Sequence, residues 1–175
     1  MSAGVASYHE FNRERWKEIE DDPVLASLEH RIETNEFGQI VLMPPPGFNH
    51  SDLQGLIIEK LLELKPPGGR VRPECPLSTS GGVKGIDIVW LSDERLEEGL
   101  QDNILTVAPE ICIEVLSPRN LKGEIDEKTA LYFEASATEV WICGLSGEMT
   151  FFDESGKIES SKLCPDFPPN IGQPG

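Results

Sequence analysis

The chain predicts an α/β fold, with a mixed central β-sheet flanked by helices and an N-terminal β-hairpin. Three observations carry this expectation. Two runs, Ile86-Asp87-Ile88-Val89-Trp90-Leu91 and Ile111-Cys112-Ile113-Glu114-Val115-Leu116, are apolar on both faces, as strands in the middle of a covered sheet are. Leu53, Leu56, Ile57, Leu61 and Leu64 recur on one helical face, and a second amphipathic stretch spans residues 121–135. The order hairpin, helix, strands, helix, strands is that of helices layered on one mixed sheet. The 175 residues are enough for one domain and few for two.

Each element has its own signal. Residues 8–20 mix acidic and basic side chains and read as a peripheral helix, ended by Asp21-Asp22-Pro23. Residues 31–36 and 39–43 read as two strands joined near Gly38, and Pro44-Pro45-Pro46-Gly47 breaks the run. The first long helix takes Asn49 or Ser51 as its N-cap and stops at Pro66-Pro67-Gly68-Gly69. Short strands follow at 70–73 and 84–91, then a polar loop at 92–108 with one helical turn at 94–99. A buried strand at 110–116 leads through Ser117-Pro118-Arg119-Asn120 into the helix of residues 121–135. An apolar strand at 138–143 and a hairpin of 148–153 with 157–160 close the fold. The resulting division is an N-terminal extension, 1–28, a main domain, 29–163, and a Pro-rich extended tail, 164–175.

Fifteen basic and 31 acidic residues leave a net charge of −16. Such a balance favours solubility and argues against a broad nucleic-acid-binding surface, though not against a small site where bound cations offset the local charge. Cys75, Cys112, Cys143 and Cys164 include no Cys-x-x-Cys pair, which excludes a zinc knuckle and fits a reducing compartment. The first 16 residues hold no apolar run of the length a leader needs and carry Glu10, Arg13, Glu14 and Arg15, and no aliphatic stretch is long enough to span a bilayer. The expectation is a soluble, cytoplasmic protein without a membrane partner.

The chemistry lies in the exceptions to the apolar pattern. A carboxylate inside a covered strand is costly unless it is paired, protonated or bound to a metal. Neighbouring strands lie about 4.8 Å apart, so Asp87 and Glu114 could share one divalent cation, as at a metal-dependent phosphodiester site. Lys128 falls on the core-facing stripe Leu121, Ile125, Lys128, Tyr132 and Ala135, while Lys122, Glu124, Glu127 and Glu134 face outward. Its helix follows the strand bearing Glu114 and is expected to pack back on the sheet, bringing the amine over the two acids. Structural alternatives stand beside each role: Lys128 extending its amine to water, Asp87 capping a loop, and Glu114 pairing with Lys128 for structure alone. His50, at a helix start, reads as a cap or hydrogen-bonding group rather than a base. Ser117 reads as the cap of the following helix, because no histidine stands near it in sequence to activate it. Tyr132, one turn after Lys128, is expected to hold the amine.

Residues 33–141 resemble the PD-(D/E)xK nuclease superfamily, and within it the Uma-type putative restriction endonuclease domain family. The resemblance rests on Glu33, Gly38, Met43-Pro44-Pro45, His50, Asp87, Glu114-Val115-Leu116-Ser117-Pro118, Lys128, Tyr132 and Trp141. It implies a restriction-endonuclease-like core whose Asp87 and Glu114, helped by the Val115 carbonyl, bind Mg2+ or Mn2+. It further implies that Lys128 acts on the attacking water or the phosphate, that Glu33 adds a ligand or supports one, and that the substrate is nucleic acid, DNA first. A homodimer would let two sites act on two strands.

There are departures. The superfamily's lysine two residues after the glutamate is Leu116 here, and the family resembled has it on the following helix, which matches Lys128. The Arg-Pro usual before the first acid is Gly85-Ile86, and the Gly-Val-Pro-Glu-Tyr-Trp before the last strand is Ser136-Ala137-Thr138-Glu139-Val140-Trp141. The favoured reading is a metal-dependent endonuclease. Two rivals stand beside it, a non-catalytic module of the same fold that acts by protein contact and a phosphoesterase for small molecules.

Overall fold

The computed structural model describes residues 3–28 and 31–172. In chain order these form α1 (Ala3–Asp21), α2 (Pro23–Ala26), β1 (Arg31–Thr34), β2 (Ile40–Met43), α3 (Phe48–Leu64), β3 (Arg70–Thr79), β4 (Gly82–Leu91), α4 (Asp93–Gly99), β5 (Leu100–Gln101), β6 (Ile104–Leu105), β7 (Ile111–Val115), α5 (Lys122–Glu134), β8 (Glu139–Cys143), β9 (Met149–Asp153) and β10 (Gly156–Ile158). Eight strands make one mixed sheet in the order β10-β9-β8-β7-β4-β3-β6-β5, and β1-β2 is a separate antiparallel hairpin. The pair β7–β8 is parallel, with α5 between the two strands in sequence. This is the α/β architecture that the apolar runs predict.

The core lies on both faces of the sheet. Leu53, Ile57 and Leu61 of α3 pack with Ile88, Trp90, Ile111, Ile113 and Trp141, while Tyr132 of α5 packs with Leu77, Ile86, Val89, Cys112 and Val140. Helical spacing on α3 therefore meets strand spacing on β4 and β7, and burying these side chains is the main favourable term in folding.

Several elements differ from expectation. The hairpin of β3 and β4 is longer than the two short strands predicted. Pro73 and Pro76 read as breakers, but on its far side β3 pairs only with the short β6, at Leu77↔Leu105, so the missing N–H groups interrupt little. The loop at 92–108 holds α4, N-capped by the Ser92 hydroxyl accepting from Arg95 N, together with β5 and β6. The N-cap of α3 is Gly47 rather than Asn49 or Ser51, and the Asn49 amide instead donates to Leu145 O at 3.1 Å. On α5 the inward stripe is shorter than predicted. Leu121 is the extended N-cap residue and 74% exposed, Ile125 is half-buried, and Leu131 joins Lys128 and Tyr132 inside.

Both ends of the described chain are tied down. From α1, the buried Asn12 amide donates to Ser78 Oγ and Thr79 O, both at 3.0 Å, and Ile19 is buried. Within the Pro-rich stretch expected to run as a tail, Cys164, Phe167 and Ile171 enter the core around Trp141 and Phe151. Glu139 anchors that segment. Its buried carboxylate accepts from Trp141 Nε1, Ser161 Oγ and Lys162 N, each at 2.7 Å, and from Leu163 N at 3.2 Å. Four hydrogen bonds thus satisfy the buried carboxyl group. Among the described residues no helix is long and apolar enough to cross a membrane.

Candidate active site

The site forms where two central strands part. β4 and β7 pair from Trp90↔Ile111 to Ile88↔Ile113, and the next residue on each is Asp87 or Glu114. The Val115 N–H, past the end of this ladder, donates to Asp87 Oδ2 at 2.8 Å. On the other flank, β3 pairs with β4 at Pro73↔Ile88 and Cys75↔Ile86, but Glu74, between them, has a left-handed backbone with φ 52°. Ile86 and Ile88 belong to opposite core faces although they stand two residues apart, so β4 turns over at Asp87. A left-handed residue other than glycine, beside a buried acid, is strain of the kind concentrated at functional sites.

Asp87 collects cationic and polar partners. Arg31 Nη1 donates to its Oδ1 at 2.7 Å, and His50 Nε2 lies 3.3 Å from its Oδ2. Burial alone would raise the Asp87 pKa, but the bonds from His50 and Val115 N and the charge of Arg31 outweigh it and hold the carboxyl below its ordinary value.

Glu114 has the opposite balance. Tyr132 OH donates to Oε1 at 2.5 Å, and Lys128 Nζ lies 3.7 Å from Oε2. Burial pushes this carboxyl up to about 8, with the charges of Asp87 and Glu33 adding to it and Lys128 and Tyr132 opposing. Lys128 donates to Glu33 Oε1 at 2.7 Å, and the same oxygen accepts from Gly85 N at 3.0 Å. Burial by itself would lower the lysine's pKa, yet Glu114 and Glu33 raise it and keep the amine charged.

Asp87, Glu114, Val115, Lys128, Glu33 and His50 line one cavity of about 580 Å3, with Tyr132 behind Glu114. Two roles are corrected. Tyr132 holds the Glu114 carboxylate and not the Lys128 amine, because its hydroxyl reaches the strand beneath the helix. Ser117 also lines the cavity but does not cap α5, whose N-cap is Leu121. Its N–H and hydroxyl both donate to Asn120 Oδ1, at 2.7 and 3.1 Å.

Sequence reasoning missed Arg31, Gln54 and Glu74. Arg31 stands two residues before Glu33 on one strand, and Gln54 one turn after His50 on one helix, so face-sharing could have found both. Gln54 Nε2 donates to Glu74 Oε1 and to Asp87 O, both at 2.9 Å. Nothing in the sequence marks Glu74, whose place depends on its left-handed backbone.

Among the described residues no three His, Cys, Asp or Glu side chains converge as a complete ligand set. The donors at hand are the carboxylates of Asp87 and Glu114 and the Val115 carbonyl. They fit a hard cation such as Mg2+, which takes one or two carboxylates and keeps several waters. Glu114, driven toward its protonated form by burial, is the group such a cation would hold ionised.

A mixed sheet with helices on both faces and two acids at its parting strands places the protein in the restriction-endonuclease-like class of α/β folds. The model of the Uma2 family, described as "Putative restriction endonuclease", matches residues 16–151, well over half of the chain, and the chain belongs to that family. Among solved structures it is similar to the crystal structure of "a putative nuclease belonging to DUF820" from Anabaena variabilis ATCC 29413. The TM-score is 0.63 at 21% identity, over 82% of this chain and 89% of that one. At that identity the likeness concerns the fold. No curated protein matches the chain.

Proposed function

We propose that the protein is a metal-dependent endonuclease that hydrolyses phosphodiester bonds of nucleic acid, DNA first, with Asp87, Glu114 and Lys128 as its catalytic residues. The observation that carries this reading is the buried, charged Lys128 held between Glu33 and Glu114 in the same cavity as Asp87. Asp87, Glu114 and the Val115 carbonyl would hold Mg2+ or Mn2+, which when bound polarises the scissile phosphate and acidifies a water. Lys128 donates to the attacking water or to the phosphate oxygen on which charge builds up. Glu33 fixes the amine, Tyr132 fixes one oxygen of Glu114, and His50 and the Val115 N–H fix Asp87. The water oxygen bonds to phosphorus as the water gives up a proton to solvent, the bond to the departing ester oxygen breaks, and that oxygen takes a proton from solvent.

A homodimer in the cytoplasm, acting on both strands of a duplex, completes the reading; four free cysteines suit a reducing compartment. One observation favours a second substrate, a small phosphodiester. The cavity wall carries Glu33, Glu74, Asp87, Glu114 and Glu124 against only Arg31, Arg119 and Lys128 as lysine or arginine.

The test is calorimetric titration of Mn2+ into the wild-type chain and Asp87→Asn, with plasmid and bis(p-nitrophenyl) phosphate cleavage assayed in parallel. Mn2+ binding and cleavage, both lost in the variant, support the proposal. Equal Mn2+ affinity in the two proteins rules out the two-acid site, and cleavage of the small ester alone selects the second substrate.

A further inference from the structure

The cation nearest the first acid comes from outside the main sheet. Arg31 lies on the separate β1–β2 hairpin, and its Nη1 bridges Asp87 Oδ1 at 2.7 Å and Glu74 Oε2 at 3.3 Å. A guanidinium has five N–H donors in a planar fork. Here one nitrogen makes both bonds, and Nε is buried without a partner among the described residues. A buried donor lacking an acceptor is costly, so the guanidinium is incompletely satisfied where it stands and gains by a partner that engages its fork. The side chain is 31% exposed and lines the cavity beside Asp87, so it has room to move.

We propose that Arg31 serves two anions in turn: it neutralises Asp87 when no cation is bound there, and it passes to a substrate phosphate when a divalent cation takes Asp87. This rests on the two-acid cation site proposed above. Asp87 needs a counter-charge because it is 3% exposed, and Arg31 is the arginine bonded to it. A divalent cation on Asp87 makes the guanidinium redundant and repels it. The fork then meets phosphate oxygens in the paired geometry that arginine favours. Glu74, fastened by Gln54, keeps one hold on Arg31 and limits how far it swings. Arg31 is thus a positioning residue in the empty site and a binding residue in the loaded one.

The two roles give opposite signs in one variant. Arg31→Gln should bind Mn2+ about tenfold more tightly, the worth of one charge-assisted bond. The Mn2+-loaded variant should bind thymidine 5′-monophosphate, which has no diester bond to cleave, about tenfold more weakly. A merely structural arginine would move both affinities the same way or neither, and either result overturns the proposal. Should the glutamine variant fail to fold, Arg31→Lys keeps the charge without the fork. Its nucleotide affinity should fall severalfold with Mn2+ affinity no weaker than wild type, and unchanged nucleotide affinity overturns the proposal. Mn2+ bound by wild type, lost in Asp87→Asn and unmoved in Arg31→Gln sinks this proposal alone. No Mn2+ binding by wild type sinks the two-acid site with it.

Discussion

Replacing Glu114 by glutamine reads the electrostatics of the parting strands directly. In the folded protein burial raises this carboxyl from its ordinary 4.5 to about 8. The unfolded chain carries an ordinary glutamate. Between these two values the folded state keeps a proton that the unfolded state has released, so stability falls as pH rises, by about 1.4 kcal/mol per pH unit. Below the lower value both states hold the proton and nothing is lost; above the higher one both have released it and the loss is complete. Glutamine has no proton to lose, and its carbonyl can still accept from Tyr132 OH. In a chelating buffer, the stability of Glu114→Gln relative to wild type should grow by about 3 kcal/mol from pH 5 to pH 7. With a urea m-value of about 2 kcal/mol/M, the two midpoints should separate by more than about 1 M over that range. Parallel pH profiles would refute the reasoning, because they would show that folding does not shift the Glu114 carboxyl.

Two further predictions concern the scaffold. Gly82 has φ 96°, and a Cβ there would run into the backbone oxygens of Thr34 and Asn35, so Gly82→Ala should cost about 2 kcal/mol or more in a denaturant melt. An unchanged midpoint would mean that the β1–β2 hairpin does not press on β4. Glu139→Ala removes the acceptor of four hydrogen bonds and should cost about 3 kcal/mol. It should also speed hydrogen exchange at the Lys162 and Leu163 amides, and undiminished protection there would contradict the anchoring role.

The strands around Asp87 and Glu114 were legible because burial on both faces leaves an unbroken apolar run, in which one acid stands out. Lys128 was legible for the same reason on a helix. The partner of Tyr132 was not, since helical spacing tells which side chains share a face but not how deep each reaches into the sheet. Leu121 misled because an extended residue just before a helix continues the spacing without sharing the face. Face-sharing with Glu33 and His50 marks Arg31 and Gln54 as candidates, but their partners stand 56 and 33 residues away, and Glu74 is placed by a left-handed backbone, none of which a local pattern records. Prolines made the final stretch look free, although Phe167 and Ile171 stand among them and fill the core.

That stretch bears on how the protein can be cut. The part shared with the family stops at residue 151, inside β9. Trp141 lies 4.8 Å from Phe167, ring to ring, and Glu139 receives three of its bonds from residues 161–163. A fragment ending at the shared boundary would bare the indole to water and leave a carboxylate buried with a single donor. The chain therefore needs for its folding a stretch that reaches past residue 151, and any transplant of this site into another protein has to bring residues 152–171 along.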